Sequence, residues 1–203
     1  MFQRRSLASI GAAMSLVAVI ILGVLGASPA RTAHAVAYSA GYYMVTSSGA
    51  VYTFGDAVNY GSMAGHHLNA PIVGMAVTPD GHGYWLVAAD GGIFSFGDAR
   101  FYGSMGGKPL NRPIVGMAAT PNGGGYWLVA ADGGVFSFGD ASFYGSMGGK
   151  PLNAPVVGIA ADPATGGYWE VAADGSVSSF DASSYGSMGG KPLNRPIVGM
   201  AAT

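Results

Sequence analysis

From residue 41 onward, short apolar runs alternate with glycine-rich turn signals on a period of 42 residues. The pattern is written most cleanly at residues 83–104, GYWLVAADGGIFSFGDARFYGS, returns at 125–146, and recurs recognisably at 41–62 and 167–187. Within this unit Tyr84 to Ala89 is β-prone and continuously apolar, and Asp90-Gly91-Gly92 supplies the positive-φ positions of a tight hairpin. Ile93 to Phe96 predicts the second strand, Gly97-Asp98-Ala99 the next turn, and Phe101-Tyr102-Gly103 a short outer strand. An irregular stretch follows from Met105 to Arg112. Pro113 then opens a fourth run, Ile114 to Thr120, closed by Pro121-Asn122-Gly123-Gly124.

Self-similarity at such a period means one supersecondary unit repeated, each too small to bury its own apolar faces and so stacked on its neighbours. Four short strands per unit, joined as a meander, predict an all-β chain built as a β-propeller. Runs apolar on both faces suit a sheet sandwiched between two others. The run holding Gly116, Ala118 and Ala119 has the smallest side chains and suits the crowded innermost strand.

The phase of the ends sharpens the expectation. The repeats begin in the second strand of a unit, at Gly41 to Val45, and reach Thr203 at the end of a first strand, Ile197 to Thr203. Pairing these two segments predicts a four-bladed propeller over residues 36–203, closed by its N- and C-terminal strands, with Tyr42 and Val198 side by side. Half of an eight-bladed, dimeric propeller is the alternative, and a β-solenoid ranks third. Residues 83–124 and 125–166 share 34 of 42 positions, and Gly186 to Thr203 repeats Gly103 to Thr120 unchanged. The fourth copy lacks one residue before Asp181 and carries Ser178-Ser179 where the others have an aromatic, so its outer hairpin should be the weakest.

Composition narrows the function classes. The chain is 50% hydrophobic and only 9% charged, so few solvated faces are available. It has no cysteine, which removes disulfides, thiolate chemistry and cysteine metal sites. Arg4, Arg5 and Arg31 lie before the repeats, leaving six basic side chains against ten acidic and no basic field for nucleic acid. Arg4-Arg5, the apolar run Leu7 to Ala27 and the ending Ala33-His34-Ala35 read as a secretory signal over residues 1–35. The apolar run is also long enough to stay as an uncleaved anchor, the one route to a membrane. Either way the repeats face an extracytoplasmic compartment.

The words GYWLVAADGG, FSFGDA, FYGS and LNRPIVGMAATP, in order at one spacing over residues 41–203, resemble a tandem repeat common in secreted bacterial proteins. There it stands alone or is appended to cell-wall and other hydrolases. The resemblance implies a propeller-type, non-catalytic, extracytoplasmic module and brings no catalytic residues to carry over.

Candidate binding chemistry repeats with the unit. The loops between outer and inner strands should share a face with the hairpin turns at Asp90, Asp132 and Asp174. That face would carry Lys108, Asn111 and Arg112, then Lys150 and Asn153, then Lys191, Asn194 and Arg195. An array of cations, amides and carboxylates suits a repetitive polymer such as a cell-wall glycan, or a protein partner, each site weak and the array gaining avidity. The competing reading has Asn and Asp satisfying turn amides while Lys and Arg keep the surface soluble. Tyr102 and Tyr144, with Tyr60 and Tyr185, either stack on a sugar or fill the rim between blades; Trp85, Trp127 and Trp169 read as core. Asp56, Asp98, Asp140 and Asp181 read as acceptors closing turns. Catalysis needs a break in the likeness, and Glu170 and Asp162 provide one: two single-copy carboxylates near one turn, the pair a glycosidase would use. The bland explanation is drift in a decaying copy. His66, His67 and His82 read as exposed loop histidines, and no metal or cofactor is expected.

Overall fold

The computed structural model describes residues 40–203; the leader expected over residues 1–35 lies outside them. The described residues hold eleven strands and no helix. They form four antiparallel sheets in chain order. The first pairs β1 (Gly41–Val45) with β2 (Val51–Gly55). The second has the order β3 (Ile72–Val77), β4 (Gly83–Ala88), β5 (Ile93–Gly97). The third repeats it with β6 (Ile114–Ala119), β7 (Gly125–Ala130) and β8 (Val135–Gly139). The fourth repeats it again with β9 (Val156–Ala161), β10 (Tyr168–Ala172) and β11 (Val177–Phe180).

β4 and β7 are buried on both faces because a sheet lies against each face, whereas β10 has the third sheet on one face and residues 197–203 on the other. Trp85 and Val87 of β4 point one way, into the cluster that holds Tyr126 and Leu128 of β7. Tyr84 and Leu86 point the other way, onto Tyr43 and Val45 of β1. The innermost strands meet through glycine. A methyl group added at Gly74 would lie 3.8 Å from the Gly116 Cα, one at Gly116 3.8 Å from the Gly158 Cα, and one at Gly158 3.6 Å from the Gly199 Cα. This is the crowding that the small residues of the fourth run anticipate.

Two expectations are corrected. The outer strand over Phe101-Tyr102-Gly103 does not form, so each complete sheet has three strands. The Tyr102 N–H is taken across the gap by the Tyr126 hydroxyl of the next sheet at 3.1 Å, which removes it from any ladder on β5. The closing pair does not form either. β1 pairs with β2 alone, and residues 197–203 are extended without a strand partner. The Ile197 N–H donates to Ala173 O at 2.9 Å, as Ile114 does to Ala89 O and Val156 to Ala131 O. The sheet-to-sheet step that seats β9 on β6 therefore carries residues 197–203 onward past β9, and Val198 is left 90% exposed.

The fourth sheet departs from the others at its second hairpin. Deletion of one residue places Asp181 in the left-handed region, at φ 46°, where Gly97 and Gly139 stand in the preceding sheets.

Candidate binding grooves between the sheets

One tyrosine fastens each sheet to the one before it. The Tyr126 hydroxyl accepts the Tyr102 N–H and donates to Gly103 O at 2.7 Å. Tyr168 does the same to the Tyr144 N–H at 3.2 Å and Gly145 O at 2.6 Å, and Tyr84 to the Tyr60 N–H at 3.2 Å and Gly61 O. Burial pushes all three phenols above their ordinary pKa, so each keeps the proton it donates. The tryptophans are core, as expected, with each indole N–H donating to a backbone carbonyl just past the second hairpin: Arg100 O at 2.7 Å, Ser142 O at 2.8 Å and Ser183 O at 2.8 Å.

Because these bonds draw residues 101–103 and their counterparts sideways, a groove opens between successive sheets. Between the second and third sheets it holds about 200 Å³ and is lined by Asp98, Arg100, Tyr102 and Asn122. Between the third and fourth it holds about 380 Å³, lined by Asn122, Asp140, Tyr144 and Thr165. A third, of about 340 Å³, runs between the fourth sheet and residues 200–203, past Asp162, Trp169 and Tyr185. A fourth, of about 380 Å³, lies beside Tyr43, Asp56 and Val58. A tyrosine ring beside carboxylate and amide groups can take the apolar face of a small ring while bonding its hydroxyls.

The groove carboxylates accept from the inner strand. Thr120 Oγ1 donates to Asp140 Oδ1 at 3.2 Å and Asn122 Nδ2 to Asp140 Oδ2 at 2.6 Å. In the second sheet Asp80 stands where the third has Asn122, so the amide donor is lost. Asp80, His82 and Asp98 then face one another with ligand atoms within 4.8 Å, and His82 Nδ1 is 3.3 Å from Asp80 Oδ2. The Thr78 hydroxyl and the His82 amide hold the Asp80 carboxyl well below the usual carboxylate range. All three side chains are exposed. His82 is thus a loop histidine with two acidic neighbours, a grouping that the spacing along the chain hides.

The charged loops lie at the other end of each sheet. Met105 N–H donates to Gly91 O at 3.0 Å, Met147 N–H to Gly133 O at 3.0 Å and Met188 N–H to Gly175 O at 2.9 Å, fixing each loop against its hairpin turn. Lys108, Asn111, Arg112, Lys150, Asn153, Lys191, Asn194 and Arg195 are all exposed there and form no ion pair among the described residues. Asp90, Asp132 and Asp174 accept the amides of Gly92, Gly134 and Ser176 at 2.9, 3.1 and 2.9 Å, the turn-closing role. Tyr102 is half-buried and donates to Gly123 O at 2.9 Å, whereas Tyr144 is 40% exposed.

Glu170 and Asp162 do not form a pair. Glu170 sits opposite Ile159 in the ladder, and Asp162 is opposite Gly167, to whose carbonyl its N–H donates at 2.8 Å. An odd number of residues separates these positions along each strand, so the two side chains leave opposite faces of the sheet. Both are buried: Asp162 beside the groove at Trp169, Glu170 in the packing against the third sheet.

No protein-family model matches the sequence, and no curated protein does. Among solved structures the fold is similar to that of U3-55K, with a TM-score of 0.50 and 18% identity over 68% of this chain. The match spans 44% of that structure's chain. At this identity the likeness concerns the fold.

Proposed function

We propose that the chain is an extracytoplasmic, non-catalytic β-propeller module that binds a repetitive glycan of the cell envelope. The observation that carries this reading is the repetition of one groove, with a tyrosine and a carboxylate, at the two gaps between the second, third and fourth sheets, joined by a third groove past the fourth sheet that holds Tyr185 and Asp162. Each groove is small and open, so single contacts are weak; a polymer that presents the same sugar at intervals engages several at once and gains avidity.

Retention of the protein on purified peptidoglycan tests this. Tyr144→Ala should lower retention about tenfold, as loss of one stacking ring from a multivalent set, while the triple change Lys108→Ala, Lys150→Ala, Lys191→Ala leaves it unchanged. The opposite result would move the site to the charged loops. Retention untouched by either set would remove glycan binding and leave a protein partner as the reading to pursue.

Ring completion by a second copy belongs to the same proposal. Among the described residues β1 has no inner strand beside it, and its hairpin exposes Tyr42, Met44, Tyr52 and Phe54, while residues 197–203 repeat the inner-strand sequence with no described hairpin paired to them. In the register that pairs Met75 with Leu86, Met200 would oppose Met44. The chain has no cysteine, so Met44→Cys combined with Met200→Cys reports cleanly. A disulfide-linked oligomer supports the shared ring, a cross-link within one chain restores the four-bladed ring, and no cross-link defeats both.

A further inference from the structure

Among the described residues, the one buried carboxyl without a hydrogen-bond partner lies away from the grooves, at the loop end of the fourth sheet. Glu170 is 1% exposed, and neither oxygen has a hydrogen-bond partner among the described residues. It lines a cavity of about 140 Å³, together with Asn153, Asp174, Ser176 and Ser178. The ladder explains why the cavity exists. Leu86 pairs with Phe94 and Leu128 with Phe136 in the preceding sheets, whereas Glu170 pairs with Ser178. Replacing Phe by Ser opens the space, and replacing Leu by Glu at the facing position sets a buried carboxyl in its wall.

The nearby backbone donor, the Met147 N–H, already donates to Gly133 O at 3.0 Å; it favours the charged carboxyl without forming a hydrogen bond to it. Lys150 is the nearby cation, but its Nζ rests 5.9 Å above the Phe180 ring and makes no ion pair. Asp132 adds a like charge, and Asp174 already accepts the Ser176 N–H at 2.9 Å. A calcium ion needs about six to eight oxygens, and a single free carboxylate does not supply them. Met147, Leu152 and Val156 form apolar walls. A cavity of ~150 Å³ admits a ligand of about six heavy atoms.

We propose that this cavity is a binding site for a compact primary ammonium ion, with Glu170 as counter-ion, Asn153 and Ser178 as further acceptors, and Met147, Leu152 and Val156 around a short carbon chain. The site is independent of the grooves and of any glycan, and either proposal can fail alone.

Calorimetric titration of the full chain with n-butylammonium chloride tests it, with tetramethylammonium chloride as a cation lacking N–H donors and 1-butanol as an uncharged chain. Butylammonium should bind saturably and the two controls at least about tenfold more weakly. Glu170→Gln should weaken binding by about tenfold or more, as expected when the buried counter-charge is lost. The double variant Glu170→Leu, Ser178→Phe restores the pair of the other sheets, folds at least as well, and should not bind. The Glu170 carboxyl, pushed up to about 7 by burial, with the Met147 amide and then Lys150 opposing and Asp132 adding to the shift, must ionise to hold the cation. Affinity should therefore rise about thirtyfold between about pH 5.5 and about pH 8. No saturable binding, equal binding of the controls, or binding retained by the double variant would overturn the site. Binding that appears only in Lys150→Met would also overturn it, by making Lys150 the native occupant.

Discussion

Replacing Glu170 by Leu should stabilise the fold, and by an amount that depends on pH in a defined direction. Glu170 occupies the position of Leu86 and Leu128, packed against the third sheet, and burial pushes its carboxyl up from 4.5 to about 7. A carboxyl whose pKa is raised on folding binds its proton more tightly in the folded state, so stability falls as pH rises. The loss begins near the unfolded value of 4.5 and is complete once pH passes about 7. At 1.36 kcal/mol per unit, the full loss is roughly 3 kcal/mol. The Leu variant lacks this term and adds apolar burial, worth about 1.5–3 kcal/mol in a filled site and less here because Ser178 leaves space beside it. Urea unfolding followed by tryptophan fluorescence, on wild type and variant at about pH 5 and about pH 8, isolates the effect, because every other carboxyl is common to both. The stability gap should widen by roughly 2–3 kcal/mol at the higher pH. A gap that stays constant or narrows would refute the account of Glu170 as a carboxyl buried without a partner.

Other outcomes follow from the bonds between sheets. Tyr126→Phe strands the Tyr102 N–H and the Gly103 carbonyl and should cost about 1–3 kcal/mol in chemical denaturation, whereas Tyr102→Phe, which loses only its bond to Gly123 O, should cost about 1 kcal/mol. Gly91 and Gly107 share a positive φ, at 77° and 75°, but a methyl group on Gly91 would meet the Met105 Cβ at 2.5 Å while one on Gly107 meets nothing within 4 Å. Gly107→Ala should cost about 1 kcal/mol from backbone strain alone, and Gly91→Ala roughly 2 kcal/mol more from overpacking, as read by thermal unfolding. Equal losses would mean that the loop does not seat on the turn.

What the sequence made legible was everything governed by neighbours along the chain. The hairpin strands, the Asp-Gly-Gly turns and the small residues of the innermost strand all answer to local periodicity, and each is where the words place it. Residues 101–103 were misread because their fate depends on a phenol 24 residues away in the next sheet; Phe-Tyr-Gly has the look of a strand and no local sign of being claimed sideways. The grooves share that origin, since they open where Tyr126 and Tyr168 pull the connecting segment across, and no single repeat contains both of their walls. The Asp80, His82 and Asp98 grouping escaped notice for a related reason: Asp98 reaches the other two only after the chain has turned through a hairpin.

The carboxylates of the fourth sheet are governed by cross-strand register rather than by distance along the chain. Glu170 and Asp162 looked like a pair because both are single-copy acids near one turn. Counting alternation from the Gly167 and Asp162 pairing sends them to opposite faces. The same counting links Glu170 to Ser178, two departures that appear separate along the chain. Decay of a redundant repeat would scatter its changes over surface and core alike. Here the loss of a phenyl ring and the gain of a carboxyl fall on one cross-strand pair, and their combined result is a lined space rather than a collapsed one. A Leu to Glu change alone would bury a charge against an intact Phe, and a Phe to Ser change alone would leave a dry void. Each is costly by itself, and only together do they make a cavity with a buried carboxyl in its wall.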